Sequence, residues 1–247
     1  MASKPQLKPI DVFEANIGDA ERLIGFARAL ENKRRFTRLA KKRSVGRALG
    51  FPAKQHDALG CVESRDLFIV IKPSSAVKLE HFAEKELRPL LRQAVVAISA
   101  AVESYVAEKA CSYASAALRS RPDRLKLVTV SLDAVIEIES RYQRRGVGHR
   151  AILKEFIERE ASPSPTKIGI VFSTVGQQDL LKKVDTERGL ARGVTAKQLE
   201  ALYARRNKIA HTGDRTPTSR AALSLAEVEV FLENATATVK AMESVLP

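Results

Sequence analysis

The chain has 247 residues, a formal charge of +13 and 45% hydrophobic residues, a composition that excludes a disordered or linker-dominated protein. Aromatic residues make up only 5% and tryptophan is absent, so we expect an aliphatic core. No apolar run approaches the ~20 residues of a membrane-spanning helix, and no apolar segment follows the N-terminal lysines as in a secretory signal. We therefore expect a folded, basic, cytoplasmic protein with no membrane partner.

The N-terminal sixty residues are predicted to form a basic helical extension. Asp11 and Glu14 have the spacing of a capping box, which predicts a helix to about Glu31. A second helix should follow and end near the glycines at 46–50. The β-branched run at 66–73 then predicts a short strand that ends at a proline.

The rest of the chain, residues 61–247, is predicted to form a helical domain. Apolar residues recur at intervals of three and four between about Ala83 and Arg119, which indicates one long helix. Residues 125–145 are ambiguous, and a helix there should end at the glycines after Arg144. A further helix is expected over Ala151–Glu160, and Ser164 should precede another.

Two capping boxes predict the last two helices. Thr195 and Gln198 should begin a helix that continues to about His211, and Ser224 should cap the final one. The final helix carries a heptad pattern, which favours packing inside its own bundle but could also join two copies of the chain. The fold class is therefore predicted as all-α, a bundle of two long and several short helices.

The two cysteines and four histidines give no pattern of a metal site. Cys61 and Cys111 fit neither a disulfide framework nor a zinc ribbon, so reduced thiols are expected. No histidine belongs to an H-E-x-x-H motif, and no glycine-rich phosphate loop is present. We expect no metal and no cofactor.

Positive charge is concentrated between residues 33 and 47, where eight cationic residues occur without an acidic one. Such a block repels itself and suits an anionic partner, because neutralising phosphates releases counterions. A solvated helix face and a membrane-surface stripe are the alternatives, although the block has too few apolar residues to anchor in a membrane. The predicted RNA-binding residues of this block are Lys33, Arg34, Arg35, Arg38, Lys41, Lys42, Arg43 and Arg47.

A second candidate site lies on the helix predicted to end near His211. Two segments place an arginine five residues before a histidine, but the one ending at His149 is interrupted by glycines. In the other, Asn207 and His211 share a helix face, and the long side chain of Arg206 can reach over its edge. Arginine clamps phosphate, and a histidine near a helix C-terminus suits a general acid. The alternative is a histidine that caps carbonyls beside solvated arginines.

The segment 202–214, Leu-Tyr-Ala-Arg-Arg-Asn-Lys-Ile-Ala-His-Thr-Gly-Asp, resembles the R-x4-6-H motif of HEPN domains, most of all the RiboL-PSP type. The upstream order is similar to that type as well: a long helix with Glu103, then Glu155-Phe156, then the segments 162–168 and 171–176. The resemblance covers about residues 84–245. It implies that residues 167–175 are helical, although their composition favours a strand.

The resemblance implies a metal-independent endoribonuclease of a bacterial toxin or antiviral system, acting as a homodimer whose two motifs meet in one cleft. His211 would be the general acid/base, Arg206 the phosphate clamp, and Asn207 would orient either. Glu103 would support the site and Arg205 would add a phosphate contact. The ribose 2′-OH would attack and leave a 2′,3′-cyclic phosphate, so RNA is the expected substrate. An antitoxin or defence-system partner is also implied.

A different class of function stays open at this point. Some domains of this type are non-catalytic, so the chain could be an RNA-binding or partner-docking module that uses the basic block. A scaffold that assembles through the C-terminal heptad pattern is a third candidate.

Overall fold

The computed structural model describes residues 7–30, 34–35, 38–65, 67–73, 75–78, 84–120, 125, 128–141, 145–217 and 219–246. Within them the helices are α1 (Pro9–Ala29), α2 (Leu39–Ala48), α3 (Glu84–Ser120), α4 (Leu132–Arg141), α5 (Arg145–Glu160), α6 (Pro165–Thr174), α7 (Leu180–Glu187), α8 (Val194–Thr212) and α9 (Leu225–Val245). A 3₁₀ helix, Ala53–Ala58, and three strands, β1 (Arg34–Arg35), β2 (Gly60–Glu63) and β3 (Phe68–Ile71), lie between α1 and α3. The predicted all-α class is confirmed.

The three strands form a small antiparallel sheet in the order β1-β2-β3. Arg34 pairs with Glu63, and Glu63 in turn pairs with Phe68. The predicted strand near residues 66–73 is therefore present as β3, whereas β1 lies where a continuous basic helix was expected. Lys33 lies outside the described residues.

The helix α3 is the centre of the bundle, with α1, α5, α8 and α9 packed around it. Tyr105 of α3 is fully buried and meets the ring of Phe13 of α1 edge to face, with ring centroids 6.1 Å apart. The Tyr105 hydroxyl donates to Glu243 Oε2 of α9 at 2.7 Å, and Lys109 Nζ lies 3.1 Å from the other oxygen. These contacts join α1, α3 and α9 in one core.

The helix α1 belongs to this core instead of an appended extension. One face of α1 is buried against α3, and the face consists of Phe13, Ile17, Ala20, Ile24 and Ala27. The expected division of the chain lies at residues 60 and 61, and β1 pairs with β2 across this position. By contrast Gly46 is the one fully buried residue of α2, Lys42 and Val45 are half-buried, and the helix packs mainly on the 3₁₀ helix.

By length and composition alone, α3 is one helix of the described chain that could cross a membrane. The prediction that the chain has no helix able to span a membrane therefore does not hold for α3 on length and composition alone. In this fold more than half of the most apolar part of α3 is buried by neighbouring helices. A helix that is apolar on several faces is typical of the centre of a bundle.

Some predicted helix boundaries are shifted in the structure, whereas others are as expected. α1 begins at Pro9 after Lys8, so Asp11 lies in its first turn and does not cap it. The glycines after Arg144 lie at the start of α5 instead of ending a helix. Residues 165–174 are helical as the resemblance implied, and Ser224 Oγ accepts from Glu227 N–H at 3.2 Å as predicted.

Candidate active site

The helix α8 carries the predicted catalytic residues, and its buried face fixes its orientation. Leu199, Leu202 and Ile209 are buried at helical spacing. His211 projects about 180° from Leu202 by helical geometry and is exposed. Asn207 is half-buried, one turn before His211 on the same face. The packing of α8 therefore turns the imidazole towards solvent.

Arg206 and Asn207 are in direct contact. Arg206 Nη1 donates to Asn207 Oδ1 at 3.1 Å. Because Asn207 shares a face with His211, this hydrogen bond draws the guanidinium from the edge of the core towards that face. Arg206 and Asn207 thus form a contacting pair of a cation and an amide, and the imidazole of His211 lies one turn further along the face of Asn207.

The start of α8 is fastened by α7. Asp185 accepts from the backbone N–H groups of Gly193 and Thr195, at 2.6 and 2.8 Å. Burial raises the pKa of Asp185, but the hydrogen bonds from Thr195 and Gly193 outweigh burial and hold this pKa below its usual range. The predicted capping box at Thr195 is therefore wrong, because Gly193 is the N-cap and a distant carboxylate supplies the acceptor.

Arg188 reinforces the same end of α8. Its Nη1 donates to Thr195 Oγ1, Gln198 Oε1 and Thr238 Oγ1 at 2.9–3.0 Å, which joins α7, α8 and α9. Burial lowers the pKa of Arg188, and the nearby Asp185 carboxylate opposes this effect. Both charged residues act at the end of α8 opposite to His211.

The other end of α8 closes on a buried ionic cluster. Gly213 ends the helix at a φ of 60°, as predicted, and Asp214 follows in the same left-handed conformation. Asp214 Oδ2 accepts from Arg92 Nε of α3 at 3.1 Å and lies 3.0 Å from Arg205 Nη2. The Asp214 side chain is only 1% exposed. This cluster holds the turn after His211 against α3.

Arg205 has a structural environment that differs from the predicted phosphate contact. Its Nη2 also donates to the Ala222 carbonyl at 2.5 Å, and its side chain is 15% exposed. Glu227 of α9 lies 3.9 Å from Nη1. Protein acceptors lie at Nη1 and Nη2 of this guanidinium, and its Nε is buried, so Arg205 is less open to a phosphate than the exposed arginines. Sequence spacing could not indicate this, since Asp214 reaches Arg205 only through the turn after α8.

Glu103 is half-buried on α3 and lies three turns from Arg92 on about the same helix face. In the described part of the chain, no hydrogen bond or ion pair connects Glu103 to α8. The structure brings Arg206 and Asn207 into contact, with His211 on the face of Asn207, but does not join Glu103 to them. Tyr203, one turn before Asn207 on the same side, is a half-buried neighbour that the motif search missed.

The basic block is only partly available to a ligand. Arg43 forms two 2.7 Å hydrogen bonds with the Asp57 carboxylate, and these lower the pKa of Asp57. Lys42 Nζ reaches the Asp57 carbonyl at 3.4 Å. Arg38 and Arg47 are exposed, and among the described residues neither side chain has a hydrogen-bond partner. Lys41 is exposed as well, and Arg34 and Arg35 contribute their backbones to β1.

The cysteines are poor candidates for a nucleophile. Burial raises the pKa of the Cys61 thiol, and burial raises that of Cys111 to about 11. Both are free thiols. Among the residues that the structure describes, no group of three or more His, Cys, Asp or Glu side chains could hold a metal ion.

Comparison with known proteins identifies the helical domain. The family model RiboL-PSP-HEPN matches residues 65–246, which include α3 to α9 and therefore the whole of the α8 site. No curated protein and no solved structure matches the chain. A HEPN domain suggests a role connected with RNA. The chain belongs to the RiboL-PSP-HEPN family.

Proposed function

We propose that this protein is a metal-independent endoribonuclease whose reacting groups lie on α8. The observation that carries the proposal is the contact between Arg206 and Asn207 beside the exposed His211 on the last two turns of one anchored helix. Arginine offers a planar fork for a phosphate, and an imidazole exchanges protons near neutral pH. Family membership independently suggests an RNA-related role.

The reaction begins with the ribose 2′-OH beside the scissile phosphate. A general base removes the hydroxyl proton, and the 2′-oxygen forms a bond to phosphorus. The bond from phosphorus to the 5′-oxygen breaks, and a general acid gives that oxygen a proton. The products are a 2′,3′-cyclic phosphate and a free 5′-hydroxyl. This chemistry supplies its nucleophile from the substrate, which is why RNA and not DNA is the proposed substrate.

Each motif residue has a distinct role in this proposal. His211 carries the proton, and Arg206 binds the phosphate and stabilises the negative charge that develops on it. Asn207 is a positioning residue, because it holds the guanidinium of Arg206 on the side of His211. A supporting role for Glu103 rests on the family resemblance alone, since no hydrogen bond or ion pair connects Glu103 to α8 among the described residues; a Glu103→Gln variant should then lose activity without losing stability.

A single imidazole is not both base and acid in the same step, so we propose a homodimer with a composite site. Two copies of α8 would face each other across one cleft, and each would supply one His211. Activity should therefore rise more steeply than linearly with protein concentration below the dimer dissociation constant. Sedimentation of a monomer at concentrations where cleavage is fully active would contradict the composite site.

We further propose that the enzyme acts in the cytoplasm as a bacterial toxin or antiviral effector, with an antitoxin or other defence component as its partner. This setting rests on the family resemblance. Induced expression of the wild-type chain should stop bacterial growth, whereas the His211→Ala variant should not. Equal growth arrest by both proteins, at equal expression, would contradict a toxicity that depends on cleavage.

The activity itself is tested with purified proteins and a mixed-sequence RNA in EDTA. The wild type should cut, and His211→Ala should reduce the rate by at least 10²-fold, the usual contribution of general acid–base catalysis. Arg206→Lys keeps the positive charge but loses the planar guanidinium that binds phosphate through two hydrogen bonds, so its cleavage rate should also be low. Full activity of His211→Ala would overturn the proposal. Arg192→Gln, just before the opposite end of α8, is the matched control and should cut like the wild type.

A non-catalytic RNA-binding module is the second candidate, favoured by the exposed Arg38 and Arg47 on α2. In this case the other predicted RNA contacts, Lys33, Arg34, Arg35 and Lys41, would contribute to binding as well. RNA binding should weaken steeply with salt and should be lost in an Arg38→Gln/Arg47→Gln variant, without turnover in any condition. Cleavage by the wild type, or binding independent of salt, would count against this candidate.

A further inference from the structure

A short basic turn follows α8 immediately after the motif. Arg215 and Arg220 face each other in an antiparallel bridge. Thr216 N–H donates to the Ser219 carbonyl at 2.7 Å, and Ala221 N–H donates to the Asp214 carbonyl at 2.8 Å. We call residues 215–217 and 219–220 the basic turn. Its first residue is four positions after His211, so any ligand that spans a few nucleotides at His211 can reach it.

The side chains of the basic turn suit a phosphate. Arg215 and Arg220 are exposed, and neither guanidinium has a hydrogen-bond or ion-pair partner within the described ranges. Together with the hydroxyl-bearing Thr216 and Ser219 they line an open cavity of about 340 Å³. The Thr216 and Ser219 hydroxyls donate within the turn, to the Ser219 and Arg220 carbonyls. The two guanidinium groups are therefore the donors that remain for phosphate oxygens.

Two arginines, one from α3 and one from α8, bind both ends of the turn. At its start, the buried Asp214 is bound by Arg92 and Arg205. At its end, Arg92 Nη2 donates to the Ala221 carbonyl at 2.9 Å, and Arg205 donates to the Ala222 carbonyl. Because residues of α3 and α8 bind both ends of the turn, its backbone keeps a set position relative to His211. This lowers the entropy that must be lost when the turn binds a ligand.

A nucleic-acid strand fits the turn better than a protein partner. Protein interfaces depend on large apolar or aromatic anchors at their centre. Among the described residues, the exposed large hydrophobic side chains include none between 212 and 222. Apart from Pro217, Ala222 and Gly213, the exposed residues described there are cationic or carry a hydroxyl.

We propose that the basic turn is a second phosphate-binding site, which holds the RNA backbone one or more nucleotides away from the phosphate at Arg206. The inference rests on the proposed ribonuclease function. Arg215 and Arg220 would position the strand without touching the reacting atoms. The site recognises phosphate and not a base, so it should contribute equally to RNAs of different sequence.

The test measures binding of a fluorescent 12-nucleotide single-stranded RNA by the full-length His211→Ala protein, which should bind without cutting. In that background Arg215→Gln/Arg220→Gln is compared with Arg192→Gln/Lys197→Gln, which removes two charges at the opposite end of α8. The basic-turn variant should bind about tenfold more weakly. The slope of log K against log salt should fall by about 1.4, since each contacted phosphate of a single strand contributes about 0.7. The control should change neither value.

The outcomes separate this inference from the function on which it rests. If the basic-turn variant binds with the affinity and salt slope of its control, the phosphate site is overturned and the ribonuclease proposal stands. If the His211→Ala protein binds no RNA at all, the proposed function fails and the inference fails with it. The single Arg215→Gln and Arg220→Gln variants give the same decision if the double variant unfolds, each with a slope change of about 0.7.

Discussion

Arg92 near the start of α3 donates its Nε–H to Asp214 Oδ2 at 3.1 Å, although 122 positions separate the two residues in the chain. Both side chains are buried, with exposures of 6% and 1%. Arg205 Nη2 lies 3.0 Å from the same carboxylate oxygen of Asp214. The contact holds the end of α8 against α3. The same side chains therefore position the candidate site and stabilise the core.

Asp214→Asn should be strongly destabilising. Asparagine accepts the left-handed backbone at this position and has nearly the same volume, so the variant removes chiefly the charge. The free energy of unfolding should fall by about 3 kcal/mol, because two guanidinium groups lose their buried counter-charge. Urea unfolding measures the change, and the exposed neighbour Arg215→Gln should stay within about 0.5 kcal/mol. A loss below about 1 kcal/mol for Asp214→Asn would show that the cluster contributes little.

Asp185→Asn should weaken the start of α8 in a pH-dependent way. The pKa of Asp185 is lower in the folded chain than its usual value of about 3.9, so the carboxylate stabilises the fold at pH values above 4. The contribution is lost as pH falls through the folded pKa. We expect the variant to be about 1–3 kcal/mol less stable at pH 7 and the difference to shrink below pH ~4. A difference that stays constant from pH 7 to pH 3 would refute the capping role.

Asn207→Ala should slow RNA cleavage by about tenfold or more without unfolding the protein. The substitution removes the acceptor that holds Arg206 Nη1 on the side of His211, and misplacement of a phosphate clamp lowers rate. Single-turnover rates measure the effect, and thermal unfolding checks that the half-exposed position carries little stability. Glu200→Ala, an exposed change on the same helix, serves as control. An unchanged rate for Asn207→Ala would mean that Arg206 is positioned by other groups.

Gly46→Ala should loosen α2 specifically. A Cβ at this position would lie 2.4 Å from Cδ2 of His56, whose ring is buried and accepts or donates a 2.7 Å hydrogen bond with the Phe51 carbonyl. The clash falls on the main packing contact of α2. Amide hydrogen exchange should therefore accelerate in α2 and the 3₁₀ helix, whereas α3 should keep its protection. Gly25→Ala, in open space on α1, is the matched control.

Local patterns predicted the helices well, because their signals lie within one element. The heptad pattern and Ser224 together identify α9, and Gly213 correctly marks the end of α8. The heptad face of α9 is covered by α1, α3, α7 and α8, so its apolar pattern is used within one chain. Contacts between distant residues were not predictable in this way. Asp185 caps α8 from another helix, and β1 forms from two arginines that only pairing with β2 makes extended.

The same difference between local patterns and contacts of distant residues holds at the candidate site. Arg206, Asn207 and His211 follow from spacing on a single helix, whereas the partners of Arg205 come from the turn after it and from α9. Within the basic block, the pairing of Arg43 depends on Asp57 in the 3₁₀ helix. Sequence reasoning thus identified cationic residues but could not separate structural arginines from those available to RNA.

The most direct test of the ribonuclease proposal is the chemical identity of the new RNA ends. A defined RNA is incubated with wild-type protein in EDTA, and the fragments are analysed by mass spectrometry beside those from His211→Ala. The proposal predicts 2′,3′-cyclic phosphate and 5′-hydroxyl ends from the wild type alone, and no cleavage when a 2′-deoxy residue occupies the cleavage position. Fragments with 3′-hydroxyl and 5′-phosphate ends, or cleavage at the deoxy position, would contradict attack by the 2′-OH.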